Sequence, residues 1–173
     1  VYAFAQKFGV EVKGEHKNMQ TATYDDITII NYGVGSPNAA LILDLLTAIK
    51  PRCAIFLGKC GGLKKKLKPG EFIVPMGAIR GEGTSDYYFP KEVPSLPSFA
   101  MQRSISHVLK QNSRDYHDGV VYSTNIRVWE HDAKFRAMLK AHKASVIDME
   151  TATMFVVAFA NDIPIGALHL VSD

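Results

Sequence analysis

The sequence predicts an α/β protein with a mainly parallel (mixed) central sheet and helices on both faces. Three observations carry this reading. β-branched apolar runs alternate with segments of helical spacing, and the strand-like runs are continuously apolar, as strands covered on both faces are. Glycines or small polar residues follow those runs, at Gly33, Gly58, Ser123 and Ser172, where an open parallel sheet collects its ligands.

Each element has its own signal. Val1, Phe4, Ala5 and Phe8 fall at helical spacing. Ile27–Tyr32 reads as a strand, broken by Gly33-Val34-Gly35; Ser36 is placed to cap the next helix with Pro37 in its first turn. Ala39–Ile49 supplies that helix's apolar face, and Pro51 ends it. Ala54–Leu57 is a second buried strand running into the turn Gly58-Lys59-Cys60-Gly61-Gly62, and Glu71–Ile79 a third. Gly81–Pro97, rich in Gly and Pro, reads as a long loop of the kind that carries function or meets a partner. The remainder reads as helix Ser98–Gln111, strand Gly119–Ser123, helix His131–His142, short strand Ala144–Ile147, helix Asp148–Asn161 and strand Ile163–Val171. No repeat or low-complexity tract interrupts the series.

Composition narrows the classes. With 47% hydrophobic and 21% charged residues, the 173-residue chain can bury the core of one domain, residues 1–173. Its longest apolar stretches fall short of the ~20 residues that a membrane helix needs, so no membrane role is expected. A net charge of +3 is mild, and the basic run Lys64-Lys65-Lys66 has no interleaved aromatics, so it reads as a solvated turn and no nucleic-acid partner is expected. Cys53 and Cys60 fit neither a CxxC nor a zinc pattern, and the histidines have no ligand spacing; neither a metal nor another cofactor is expected, and reduced thiols suit a cytoplasmic protein.

The glycine turn at Gly33 and Gly35 departs from a dinucleotide fingerprint. Asn38 stands at the third glycine position, Pro37 sits inside the motif, and no acid ends the next strand. Backbone N–H groups in such a turn can still meet an anion. Met149-Glu150 opens a helix, where a carboxylate can accept from both hydroxyls of a ribose diol while a thioether packs on the sugar face.

These residues lie in longer matches. Across NYGVGSPNAA, FLGKCGGLKKK, AIRGEGTSDYYFP, TNIRVWEHD, SVIDMETATMF and the closing LVSD, the chain resembles the nucleoside phosphorylase and nucleosidase superfamily over nearly its whole length. The resemblance implies that Met149 and Glu150 hold the ribose and that Asp173 is an acid at purine N7. Burial beside Leu168, Leu170 and Val171 is expected to keep that acid protonated. It implies a base-binding segment with Thr124, Arg127 and Trp129. A 5′-phosphate needs Arg or Lys donors, for which Lys59, Arg80 and Arg127 at strand ends or loops are candidates with His131 possible, beside the N–H groups of the Gly33 and Gly35 turn. Phosphorylases of the superfamily anchor a nucleophilic phosphate with an arginine where this chain has Phe56, and a phenyl ring cannot replace that bidentate donor.

The implied reaction is hydrolysis of the N-glycosidic bond of AMP to adenine and ribose 5-phosphate. Alternatives are a purine nucleoside phosphorylase, a methylthioadenosine-type nucleosidase or, outside enzymes, a nucleotide-sensing module. The resemblance further implies a homo-oligomer of dimers assembling to a hexamer, completed by the Gly81–Pro97 loop with Tyr87, Tyr88 and Phe89. It also implies further structure before Val1 and after Asp173.

Overall fold

The computed structural model describes residues 1–173, which cluster into two compact units, residues 1–34 and 35–173. In the smaller unit, helix α1 (Tyr2–Phe8) ends at Gly9, whose left-handed conformation (φ 64°) lets its neighbour's N–H turn back to Ala5 O. Strands β1 (Gln20–Tyr24) and β2 (Ile27–Asn31) form an antiparallel hairpin. Phe8 stacks on Tyr24 with ring centroids 4.5 Å apart. β2 falls where its β-branched run predicts. β1 was not foreseen, because Gln20–Tyr24 has only one buried side chain, Ala22, to betray it.

The larger unit is built on five strands: β3 (Ala54–Gly62), β4 (Phe72–Gly81), β5 (Tyr116–Thr124), β6 (Val146–Asp148) and β7 (Ile165–Val171). They close into a barrel in the order β3-β6-β5-β4-β7. β3–β7, β4–β5 and β5–β6 pair in parallel, whereas β3–β6 and β4–β7 pair antiparallel, so the sheet is mixed as the sequence predicts. One buried residue from each strand meets in the centre: Cys60, Ile73, Val121, Val146 and Val171. Closure fills the inside with side chains, and the seams β3–β6 and β4–β7 are each joined by two residue pairs. The two antiparallel seams also mean that the carboxyl ends of the five strands do not gather at one rim, contrary to the open-sheet expectation.

Helices α2 (Ser36–Leu46), α3 (Phe99–Gln111), α4 (Ala133–Ala141) and α5 (Thr151–Ala160) accompany the barrel. α3 buries Ile105 and Leu109 against Val74, and Leu139 of α4 packs with Tyr122 and Ile147. α5 packs against β4, β5, β7 and α2, and every residue from Thr151 to Ala158 is buried. An apolar surface all round the helix is what such a position requires.

Three local expectations need correction. Ser36 is the first residue of α2 rather than its cap; Gly35 occupies the cap position, and the serine hydroxyl instead donates to Met149 O at 2.5 Å. The glycines after Leu57 do not turn the chain: β3 runs through to Gly62, because Gly61 and Gly62 pair with Ile147 and Val146 of β6. Met149-Glu150 lies before α5, not inside its first turn, since β6 extends to Asp148.

Candidate active site

The corner between β6 and α5 concentrates the buried polar groups. Asp148, Glu150, Thr151 and Thr153 are buried there, with Ser36, Ser123 and His169. The first N–H groups of a helix have no partner within it. Here they are met from outside: Asp148 Oδ2 accepts from Thr151 N (2.9 Å), and Ser123 Oγ accepts from Ala152 N (2.9 Å). Ser123 in turn donates to Asp148 Oδ1 at 2.6 Å. The strand β5, the strand β6 and the helix α5 are thereby fastened around one carboxylate.

Glu150 follows immediately. Its Oε1 accepts from Gly35 N at 2.5 Å and its Oε2 from Met149 N at 3.3 Å. Gly35 adopts φ 94° and ψ 152°, a region open essentially to glycine alone, so this amide reaches Glu150 only because residue 35 has no Cβ. The glycine turn does offer an N–H to an anion, as its sequence suggests, but the anion is the protein's own glutamate. Burial pushes the Glu150 carboxyl above the usual glutamate range and nearby Asp148 adds to this, while the bonds from Gly35 and Met149 oppose it. A carboxylate has about four acceptor positions. Two are filled, and the other two remain for donors such as a diol.

Asp173 lies beside the same strands. Its carbonyl accepts from Gly62 N at 2.7 Å, and a Cβ on Gly61 would stand 3.8 Å from its carboxylate and 3.2 Å from Ile147. Its carboxylate accepts from the Ser172 hydroxyl at 2.6 Å. Asp173 is the last residue described, and its side chain is exposed in this chain. Asp148 and Asp173 both act on Cys60, whose buried thiol is pushed up to about 12, first by desolvation and then by these two charges.

The other expected binders are used differently. Gly33, also at positive φ (91°), donates its N–H to Asn31 Oδ1 at 3.1 Å. Lys59 lies inside β3 with its side chain exposed, on the face opposite buried Phe56 and Cys60, rather than at a strand end. Arg80 is the clearest correction. Its guanidinium donates to Ser85 Oγ (2.9 Å), Pro90 O (2.6 Å), Val93 O (2.9 Å), Asp86 Oδ1 (3.0 Å) and Phe89 O (2.6 Å). An arginine has five N–H donors, so Arg80 has none left for a phosphate. It braces the 82–93 loop instead.

Thr124 is buried and its hydroxyl accepts from Ile126 N at 3.1 Å. Trp129 packs on Phe135, with centroids 6.0 Å apart, beneath α4, while Arg127 is exposed and pairs with Glu130 at 3.8 Å. Of the loop aromatics, Tyr88 folds back to donate to Asp44 at 2.6 Å and Phe89 lies on Phe159, whereas Tyr87 stays 92% exposed.

Sequence reasoning missed Asp148, Thr151 and His169, and it noted Ser36 only as a helix cap and Ser123 only as a strand-end residue. Two signals were available: an acid directly before Met149-Glu150, and a histidine alone in an otherwise apolar strand four residues before Asp173.

A mixed barrel with this buried glutamate corner is a nucleoside phosphorylase-like fold, and similarity to solved structures bears it out. The chain superimposes with a TM-score of 0.97 on an AMP nucleosidase from Bacteroides thetaiotaomicron VPI-5482, at 53% identity over 99% of this chain and 75% of that one. It matches a uridine phosphorylase from Vibrio fischeri ES114 with a TM-score of 0.88 at 25% identity, over 98% and 72% of the two chains. The family model of the phosphorylase superfamily matches residues 2–173, and the chain belongs to that superfamily. Among curated relatives it is 31% identical to the AMP nucleosidase of Escherichia coli (strain K12) over 88% of its own length, and spans about a third (34%) of that protein. No helix is long and apolar enough to cross a membrane.

Proposed function

We propose that this chain forms the catalytic part of an enzyme that hydrolyses AMP to adenine and ribose 5-phosphate. The carrying observation is Glu150: a buried carboxylate fixed by Gly35 and Met149 amides with two acceptor positions unfilled, which matches the two donors of a ribose diol. Similarity to AMP nucleosidases supports a nucleotide as substrate. Met149 packs the sugar. Thr124, Arg127 and Trp129 stand as candidates for the base, and Lys59 for the phosphate. We read the enzyme as a cytoplasmic homo-oligomer of dimers forming a hexamer.

In this reading water attacks C1′ as the N-glycosidic bond breaks, and the ribose passes through an oxocarbenium-like state. Asp173, whose exposed carboxyl takes its proton from solvent, donates it to purine N7, so adenine leaves neutral, and the proton lost by the attacking water returns to solvent. Water rather than phosphate is the nucleophile because the position of the phosphate-anchoring arginine holds Phe56, a buried ring set edge-on to His169 with centroids 5.0 Å apart.

The test is a product assay on the full-length protein with AMP, adenosine and methylthioadenosine, with and without phosphate. Adenine release from AMP without phosphate consumption is expected. Stoichiometric loss of phosphate would replace the reading by a phosphorylase, and retention of AMP without adenine release by a sensing module. Asp173→Asn should lower kcat about 10²–10⁴-fold with binding intact, as loss of a general acid does. A variant retaining more than about half of the wild-type kcat would remove Asp173 from that role.

A further inference from the structure

Behind Glu150 lies a chain of hydrogen bonds in which a count of donors and acceptors favours one set of proton positions. The Thr151 hydroxyl is 2.5 Å from Asp148 Oδ2 and 2.7 Å from His169 Nε2. It has one proton to give. Asp148 already accepts from Ser123 Oγ and Thr151 N, the pattern of a carboxylate, so the threonine proton goes to Asp148. His169 must then donate through Nε2–H to Thr151 Oγ1. The arrangement mirrors the other arm, in which Ala152 N donates to Ser123 and Ser123 to Asp148.

His169 is fully buried, and desolvation depresses its pKa despite the opposing pull of Asp148. Its Nδ1 meets no acceptor with hydrogen-bond geometry, although the backbone of Leu168 is near enough to pull the ring's pKa up, and it lies where a Cβ on Gly58 would approach to 2.6 Å. A buried ring nitrogen without a partner calls for an explanation. An apolar ring would fill the space beside Phe56 without that cost, so the benefit lies in what Nε2–H does.

Resting on the reading of Glu150 as the ribose holder, we propose that His169, as the neutral Nε2–H tautomer, is a positioning residue: it orients the Thr151 hydroxyl onto Asp148 and so fixes the Asp148–Thr151 turn that aims Glu150 at the ribose hydroxyls. Asp148 and Thr151 flank Met149-Glu150 on both sides, and Gly35 holds the carboxylate itself. His169 also ties this turn to β7, the strand that leads to Asp173. The two carboxylates of the proposed mechanism therefore share one buried strut.

The experiment uses the full-length protein and the ratio of kcat/KM for AMP to that for 2′-deoxy-AMP. Thr151→Val removes the hydroxyl at constant shape, His169→Phe keeps the ring, and Thr151→Ser restores the hydroxyl. In Thr151→Val and His169→Phe the ratio should fall about fivefold, the size of one net hydrogen bond, through a raised KM for AMP. Thr151→Ser should return it to about the wild-type value. Folded variants that lose activity equally on both substrates, or keep the wild-type ratio, overturn the proposal; should His169→Phe not fold, Thr151→Val decides. Imidazole ¹⁵N spectra of the wild type give a reading independent of activity. They should show His169 as the neutral Nε2–H tautomer, and an Nδ1–H or doubly protonated ring overturns the proposal. A wild type that does not favour AMP over its 2′-deoxy analogue would sink the ribose role of Glu150, and the network would then be judged by the spectrum alone.

Discussion

Glu150 and Arg80 are both charged side chains drawn into networks in the interior, yet they end with opposite capacities. Glu150 uses two of about four acceptor positions, and one of its partners, Gly35, is 115 residues away. Arg80 uses all five donors on groups between 5 and 13 residues away, and its side chain is 6% exposed. A charge satisfied in full by its own loop is a brace. A charge fixed in place with positions to spare is equipped to hold a ligand.

The largest effect that could break this contrast is on stability. Arg80→Ala should leave the carbonyls of Phe89, Pro90 and Val93 without their donor and cost about 3–5 kcal/mol, read as a lower denaturation midpoint. Affinity of the folded variant for ribose 5-phosphate should not change. A folded variant with weakened phosphate binding would show that Arg80 has donors to spare and erase the difference.

Removing the 2′-hydroxyl from the substrate sharpens the other side. If Glu150 reserves its free positions for the diol, 2′-deoxy-AMP should lose about 1–3 kcal/mol in kcat/KM, because the buried carboxylate keeps an unmet acceptor. Equal kcat/KM would mean that those positions face something else.

Gly35→Ala probes what fixes the glutamate. The strain at φ 94° should cost about 1–3 kcal/mol and shift the amide from Glu150, raising KM for AMP more than it lowers kcat. An unchanged KM in a folded variant would make this bond incidental.

The smallest effect is on pH. Because burial raises the Glu150 carboxyl in the folded protein, ionisation costs the native state more than the unfolded one. Its contribution to stability is therefore full below the ordinary glutamate value and declines as pH rises through the raised one. Ribose binding needs the ionised form, so KM for AMP should fall as pH rises through that same window. Glu150→Gln should abolish this limb, and an acid limb that persists in the variant would belong to another group.

Much of the fold was legible because period and composition act locally. Apolar runs located β2 and four of the barrel strands to within a few residues and the start of β3, though not its continuation to Gly62, and Pro37 and Pro51 bracketed α2. Barrel closure was not legible, since it depends on which strands pair and in which direction. Met149, Glu150 and Gly35 were each singled out from sequence; that Gly35 binds Glu150 was not, because a turn's N–H groups look the same whatever anion they meet. Arg80 shows the reverse failure, a basic residue near a strand end that reads as a phosphate donor until its five partners are seen.

By itself the sequence determined the α/β alternation, the glycine that permits φ 94° at residue 35, and the kinds of group available to the site, because these follow from the chemistry of single residues and their nearest neighbours. Only the tertiary structure decided which charges have capacity left. It set Ser123, Asp148, Thr151 and His169 in one buried chain and spent Arg80 on its own loop. Hydrogen-bond saturation is a property of partners far apart in the chain, and no local pattern records it.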